Sequence, residues 1–509
     1  VRCVAEQVEE SLGKKSTSGA AWAGISRGIQ QGTQTLSVGF LARSLSADDY
    51  GLMSMSNFFV NFLQQLGDLG TGSAIVQREQ VSPRLVSSLF WMNFLLGLVG
   101  AILLWASAPL MALYYKEPRV ILPLSILALS FPLAGLGIVP QSLLVRNMEY
   151  RKLAIVEVGA AVMAALVSVV LAWNGAGVWS LVAGSLTMAV ISSLLGWFYS
   201  GWLPMWVLDW GEIRSVFGFS MNLTGFVMFN YFARNTGHLI VGRYLGAAAL
   251  GYYQMAYSLL LYPLQAVSSV LGRVMFAAFS RMQADPERFR LAIQRYLTLL
   301  GAVTFPVFFG MMVVAAPMIT LFLGKDWLPV IPLFMIVAPF GALHSISSPT
   351  GQIYISNGRT DVMFKMGVIA TVIQVAGYFA GLPWGLEGVL LGWAISSVPV
   401  ALGGIYVSHR LIHAPIKPLL RGLWPPAVAA LAMAVVAWGW RMLISNLGFT
   451  NMVFDLVSTI LVGAIVYLVL VLLPRPAFMR DIVQILSYSD NAVFARLRTG
   501  LERFAPAEE

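Results

Sequence analysis

The sequence predicts an all-α polytopic membrane protein of about 14 transmembrane helices, arranged as two six-helix lobes related by a parallel internal repeat plus two C-terminal helices. Three observations predict it. A 509-residue chain that is 58% hydrophobic and 11% charged, with apolar runs along almost its whole length, lies outside the composition of soluble domains. The runs are long and continuous, matching the roughly 20 apolar residues that a helix needs to cross a bilayer rather than the short alternating strands of a barrel. An ungapped shift of 200 positions lays Arg243, Leu245, Ala247, Gly251, Met255 and Gln265 on Arg43, Leu45, Ala47, Gly51, Met55 and Gln65.

In chain order, the spans of the first half fall at about 19–41, 51–75, 86–108, 119–142, 153–173 and 177–199. Those of the second fall at about 217–241, 250–273, 296–323, 327–349, 362–381 and 385–408, and two more follow at 423–443 and 453–473 without counterparts. The expected organisation is a tail over 1–17, a lobe over 18–200, a linker over 201–216 and a second lobe over 217–410. Two added helices follow over 411–474, then an amphipathic tail over 475–509. Weaker matches of Ala108-Pro109 with Ala316-Pro317 and of Gly177-Val178 with Gly388-Val389 extend the repeat. Six spans separate the copies, so both halves enter from the same side, and two such lobes commonly enclose a cavity.

The net charge of +9 raises nucleic acid or an anionic surface as partners, but the cations fall in loops. Arg78, Arg84, Arg146, Arg151, Lys152, Arg214, Arg273, Arg281, Arg288, Arg290, Arg295, Arg359, Lys365, Arg410, Lys417 and Arg421 collect on one side. The other side holds Arg43, Lys116, Arg119, Arg243, Lys325 and Arg441. The positive-inside rule then puts both termini in the cytoplasm. Cys3 is the one cysteine, so no intrachain disulfide forms, and the segment ahead of Gly19 lacks the apolar stretch of a secretory signal.

Polar faces run along the first two helices of each half. Arg27, Gln30, Gln31 and Gln34 share a face at helical spacing, as do Asn57, Asn61, Gln64, Gln65 and Asp68. In the second half, Asn222, Asn230, Arg234 and His238 form one stripe, and Gln254, Tyr257, Ser258, Tyr262 and Gln265 another. An arginine at the centre of a membrane helix costs roughly 2.5 to 3.5 kcal/mol on insertion scales, so such faces turn away from lipid, toward a hydrated cavity. Guanidinium forks suit a phosphate or carboxylate, and amide, hydroxyl and aromatic groups suit sugars. Each residue also has a plainer reading. A single Gln or Asn can bridge helices, Arg27 can pair with Asp68, Arg234 can reach the interface, and Glu157, one turn inside its expected helix, reads as an interface residue.

Enzyme signatures are weak. No Walker A pattern occurs, so no ATP site is expected, and no metal or other cofactor is implied. His409 and His413 have metal-like spacing without a third ligand. Asp48-Asp49, in the first exported loop, is the one catalytic candidate, for a membrane glycosyltransferase; its other reading is helix N-terminal charge.

Several stretches carry a resemblance. SGAAWAGISRG from Ser18, DLGTGSAIVQREQVS from Asp68, LFWMN from Leu89, VPQSLLVRNMEYRKLAIVE from Val139, FAAFSRMQADPERFR from Phe276 and LGKDWLPVIPLF from Leu323 resemble the polysaccharide transporter family. These are Wzx-type flippases of the multidrug, oligosaccharidyl-lipid and polysaccharide exporter superfamily, and the colanic-acid and exopolysaccharide branch is the most similar. The resemblance implies alternating access around a cationic cavity and movement of an undecaprenyl-pyrophosphate-linked oligosaccharide across the bacterial inner membrane, driven by an ion gradient. On that reading, Arg27 and Arg234 attract the pyrophosphate or acidic sugars. Gln30, Gln31, Gln34, Asn57, Asn61, Gln65, Asn230, His238, Gln254, Tyr257 and Gln265 host the glycan, and Asp68 is the candidate for ion coupling. Membrane lipids, a polysaccharide polymerase and a chain-length regulator are the implied partners, and nucleic acid is not. The alternatives are a multidrug or other lipid-linked precursor exporter, and the glycosyltransferase.

Overall fold

The computed structural model describes residues 2–67, 71–78, 80–217, 221–282, 286–449 and 451–472. Among them every regular element is helical. The chain divides into two compact units, Val1–Gln254 and Met255–Glu509.

In the first unit, α1 (Arg2–Ser44), α2 (Ala47–Gly67), the short α3 (Thr71–Gln77), α4 (Pro83–Tyr115), α5 (Ile121–Leu127), α6 (Ser130–Arg146), α7 (Tyr150–Trp173), α8 (Val178–Ser200) and α9 (Trp210–Phe217) follow in order. Helix α10 (Met221–Met282) runs on through the unit boundary. The helix ends have local causes. Ser82 caps α4 by accepting a hydrogen bond from the Leu85 amide at 3.0 Å, with Pro83 at the first helical position, where its missing N–H costs nothing. Helix α7 packs on α8 and α1, and α6 packs on α4 and α8. Phe90 anchors an aromatic cluster between them, meeting Trp197 and Trp202 edge-on at 5.5 and 5.6 Å. Helix α1 starts at Arg2, so the segment expected as a tail continues the first span as helix.

The second unit contains α11 (Pro286–Val313), α12 (Ala315–Phe322), α13 (Val330–Ser347), α14 (Thr350–Ser356), α15 (Thr360–Gly381), α16 (Gly385–Leu411), α17 (Ile416–Asn446) and α18 (Met452–Leu472). Helix α11 packs on α13 and α17, and α13 on α16, around the fully buried Phe308, Phe334 and Trp327. The appended pair is tied in by polar contacts. Arg441 of α17 pairs with Asp455 of α18 at 3.2 Å and donates to the Val313 carbonyl at 2.8 Å, and Tyr467 donates to the Ala302 carbonyl at 2.6 Å.

The surface requires lipid. Pro83–Tyr115 has a mean hydropathy of 2.1 with 17% of its apolar window buried, and Met452–Val471 has 2.4 with 17%. In water, helices this apolar and this uncovered would be driven to bury their surface; in a bilayer that driving force is absent. Nine stretches among the described residues are long and apolar enough to cross it, one of which, Thr360–Leu411, holds both α15 and α16. The spans missing from that set are α1, α2 and the two passes of α10, the helices expected to carry polar faces. With them the fourteen expected spans are all present as helices.

The two passes of α10 meet at Gly246, whose φ of 85° and ψ of −177° belong to a region open only to glycine. This places a bend where the sequence expects the loop between its seventh and eighth spans. The repeat also has a physical trace here. A Cβ on Gly51 would lie 1.8 Å from the Ala247 carbonyl oxygen, and one on Gly251 would lie 1.8 Å from that of Ala47. The contact is reciprocal between the residues that the 200-position shift equates, as a two-fold relation between copies demands.

Candidate functional site

The first unit holds a cavity of about 1070 Å³ between α2, α3, α4, α6 and α7, at the upper end of the roughly 300–1,000 Å³ typical of small-molecule sites. Its polar wall combines neutral groups from several helices, Asn61, Gln64 and Gln65 of α2, Gln77 of α3, Asn93 of α4 and Gln141 of α6, with the carboxylate Glu157 of α7. Apolar Leu96, Leu103, Phe131 and Val145 complete it. Amides set in an apolar frame offer donors and acceptors together, the pairing that hydroxyl-rich ligands need.

The wall is held from behind. Arg146, at the end of α6, donates through Nη1 to the carbonyls of Ile75 and Arg78, at 2.5 and 2.6 Å, fixing α3 against α6. Trp197 donates to the Leu136 carbonyl at 2.8 Å, and Gln141 to that of Ser192 at 3.3 Å, locking α6 on α8. Tyr231 of α10, also in the wall, donates to the Phe58 carbonyl at 2.7 Å. Asn93 is buried; its Oδ1 accepts from Thr71 at 3.1 Å, while its Nδ2 has no partner among the described residues. A buried donor left open at a cavity wall favours a ligand or water that can accept from it.

The expected site residues divide. Asn61 and Gln65 reach the cavity, with Gln64 beside them. Gln30 sits behind it, donating to Ser26 at 2.8 Å and to Glu157 at 2.9 Å. Arg27, Gln31 and Gln34 are exposed on α1, and Arg234 is exposed on α10; none of the four lines this cavity. Asn57 and Asn230 are half-buried. His238 Nε2 and Gln254 Oε1 lie 2.5 Å apart, so these two pair with each other across the bend at Gly246. In the second unit, Tyr257 meets Trp393 edge-on at 5.9 Å and Gln265 is exposed. Asp68 lies outside the described residues.

Sequence reasoning missed Gln77, Asn93, Gln141 and Ser142, and it read Glu157, which also lines the cavity, as an interface residue. The last three lie in the run VPQSLLVRNMEYRKLAIVE, already singled out, which was the signal available. Glu157 is two turns inside α7 rather than one, because the helix begins at Tyr150.

The acidic pair has structural employment. Asp49 Oδ2 accepts from the Ser46 amide at 3.0 Å and its hydroxyl at 2.7 Å, while the Asp49 amide donates back to Ser46 Oγ at 3.2 Å: a reciprocal cap on α2. Asp48 pairs with Arg119 at 2.6 Å, and Arg119 also holds Glu117 at 2.8 Å. That hydrogen bond keeps the Glu117 carboxyl below the usual glutamate range. His409 is buried with Nδ1 3.0 Å from the Ile405 carbonyl. Among the described residues no cluster of His, Cys, Asp or Glu could hold a metal ion.

Nine stretches among the described residues that can cross a bilayer, polar leading helices and a cavity inside the first bundle define a multi-pass α-helical membrane protein. Its fold is shared with solved exporters. It is similar to the lipid II flippase MurJ in an inward closed conformation, with a TM-score of 0.70 at 16% identity over 90% of this chain and 99% of that one. It is also similar to an inward-facing multidrug resistance MATE family transporter, at 0.59 and 15% over 75% and 94%. The model of the polysaccharide biosynthesis protein family matches residues 40–332, more than half of the chain, and the chain belongs to that family. Among curated relatives, the lipopolysaccharide biosynthesis protein WzxC of Escherichia coli K12 is 26% identical, over 84% of this chain and 88% of its own. The succinoglycan biosynthesis transport protein ExoT of Rhizobium meliloti is 27% identical, over 92% and 95%.

Proposed function

We propose that this protein is a flippase that moves an undecaprenyl-pyrophosphate-linked oligosaccharide across a bacterial inner membrane by alternating access, driven by an ion gradient. The observation that carries the reading is the amide-lined cavity within a membrane-spanning bundle, in a chain of the polysaccharide biosynthesis family. Neutral amides and hydroxyls exchange hydrogen bonds with sugar hydroxyls without demanding a charge, so Asn61, Gln64, Gln65, Asn93 and Gln141 receive the glycan. Arg27 and Arg234, exposed cations on α1 and α10, attract the pyrophosphate or acidic sugars. An arginine does not give up its proton, so these two supply a standing field and not the coupling step. Both termini lie in the cytoplasm in this reading, and a polymerase and a chain-length regulator receive the product.

The test is complementation of a deletion strain with Arg27→Ala and Arg234→Ala, reading surface polymer and membrane protein level together. The expected result is at least a tenfold loss of polymer, about 1.4 kcal/mol of lost interaction or more, at unchanged protein level. Full export by Arg234→Ala would remove it from the substrate path. A deletion that is lethal, rather than one that removes a surface polymer, would point to a cell-wall precursor as the substrate.

A further inference from the structure

Among the described residues the cavity wall contains one carboxylate, Glu157, and the polar groups around it are unusual for a membrane interior. Ser26 Oγ donates to Glu157 Oε2 at 2.7 Å, and Gln30 Nε2 donates to the same oxygen at 2.9 Å and to Ser26 Oγ at 2.8 Å. Ser26 is buried, at 1% exposure. Both bonds fall on Oε2, and among the described residues no protein donor reaches Oε1. No cation pairs with this carboxylate either.

The elements packed against α7 explain why. From α1 the described charged side chains are Arg27, which is exposed and makes no ion pair among the described residues, and Arg43, near the opposite end of that helix. From α6 the charged group is Arg146, already donating to two carbonyls, and α8 has none. On α7 itself, Lys152 is paired with Glu149 at 2.8 Å, and Arg151 lies over the Trp22 ring at 5.9 Å. Tyr231 is the other titratable group in the wall, and its hydroxyl is committed to the Phe58 carbonyl. Glu157 is seven residues into α7, about 10 Å from the helix start at 1.5 Å per residue.

A carboxylate at that depth is expensive to keep unless it functions, and membrane-embedded acids that lack a cationic partner recur in proton pathways. We propose that Glu157 is the proton-exchanging group of this protein, binding and releasing a proton at Oε1 on the cavity side while Ser26 and Gln30 hold Oε2 in place. One O–H bond forms at Oε1 with a proton delivered by cavity water. The same bond breaks when the proton leaves to water after the cavity changes its access, and no electrons are exchanged. In the protonated state Oε1 becomes a donor facing the cavity, so the charge and the hydrogen-bonding pattern of the wall switch together. This assignment rests on the flippase reading and names the group that couples it to a proton gradient.

Two readouts separate the assignment from that reading. In the full-length protein in lipid nanodiscs, pH-difference infrared spectra of wild type minus Glu157→Gln isolate the protonated-carboxyl component of Glu157 from those of the other acidic residues. That component is expected to be present, and to shift when the same subtraction is made in the Ser26→Ala background, which leaves the carboxylate intact. In the native host, surface polymer is measured with and without nigericin, which collapses the pH gradient. Wild type and Glu157→Asp should lose output when the gradient collapses, whereas Glu157→Gln should give at least tenfold less polymer and ignore the gradient. A pH-difference spectrum unchanged by Glu157→Gln overturns the assignment, as does output that follows a sodium gradient instead. If deleting the gene leaves the polymer intact, the flippase reading falls, and the infrared band alone then decides whether Glu157 binds a proton.

Discussion

At the scale of single residues, the polar side chains sort by what they touch. Asp48, Glu117 and Arg119 form an ion cluster at one end of the first unit, where solvent screens the pairs and limits their worth. Its pH dependence has a defined sign. The Glu117 carboxyl is depressed in the folded chain by its hydrogen bond to Arg119, so its contribution is fully present above the ordinary glutamate range. It is lost as pH falls through the depressed value. Thermal unfolding in detergent should therefore find Arg119→Leu less stable than wild type at neutral pH. The two should converge on acidification, and a gap that persists under acid would mean that Arg119 acts by packing alone. Asn61 and Gln65 were legible as cavity residues because they repeat at helical spacing. Asn93 and Gln141 are single polar positions on apolar helices, where no period marks them, and they gain meaning when α4 and α6 converge on the cavity.

At the scale of elements, the second helix of each repeat copy is specified by contacts as well as by hydrophobicity. Helices α2 and α10 meet backbone to backbone at Gly51 and Gly251, each against the carbonyl of the other copy's alanine. Gly51→Ala and Gly251→Ala should each destabilise the chain by about 1–3 kcal/mol, the usual cost of overpacking, and by similar amounts because the contact is reciprocal. The double variant should cost less than the sum, since one methyl already separates the helices. Gly32→Ala, where an added Cβ meets nothing within 4 Å, is the control and should be neutral or stabilising. Unfolding midpoints of the four variants check this, and strict additivity would contradict a shared contact. Sequence alone held the register of the repeat, since the 200-position shift pairs these same residues. It held no sign that the copies touch there, because a glycine in a helix reads alike whether it faces a carbonyl or lipid.

For the whole molecule, composition carried the fold class: runs this apolar, left this uncovered, fit only a bilayer. The polar faces marked the helices that depart from the apolar pattern, and α1, α2 and α10 are absent from the nine apolar stretches found among the described residues. Among the described residues, the wall of the cavity in the first unit carries amides and one carboxylate. Charge is conspicuous in a sequence, but the neutral groups that make a sugar-compatible surface are assembled from five helices and only the fold gathers them.

The flippase account is tested most directly by the leaflet in which the lipid-linked oligosaccharide resides. Spheroplasts of the native host, with and without this chain, are treated with a membrane-impermeant glycan-oxidising label, and the labelled lipid-linked fraction is measured. The account predicts that the units are labelled when the chain is present, and that without it they accumulate at least tenfold and stay protected. Units labelled equally in its absence would contradict it.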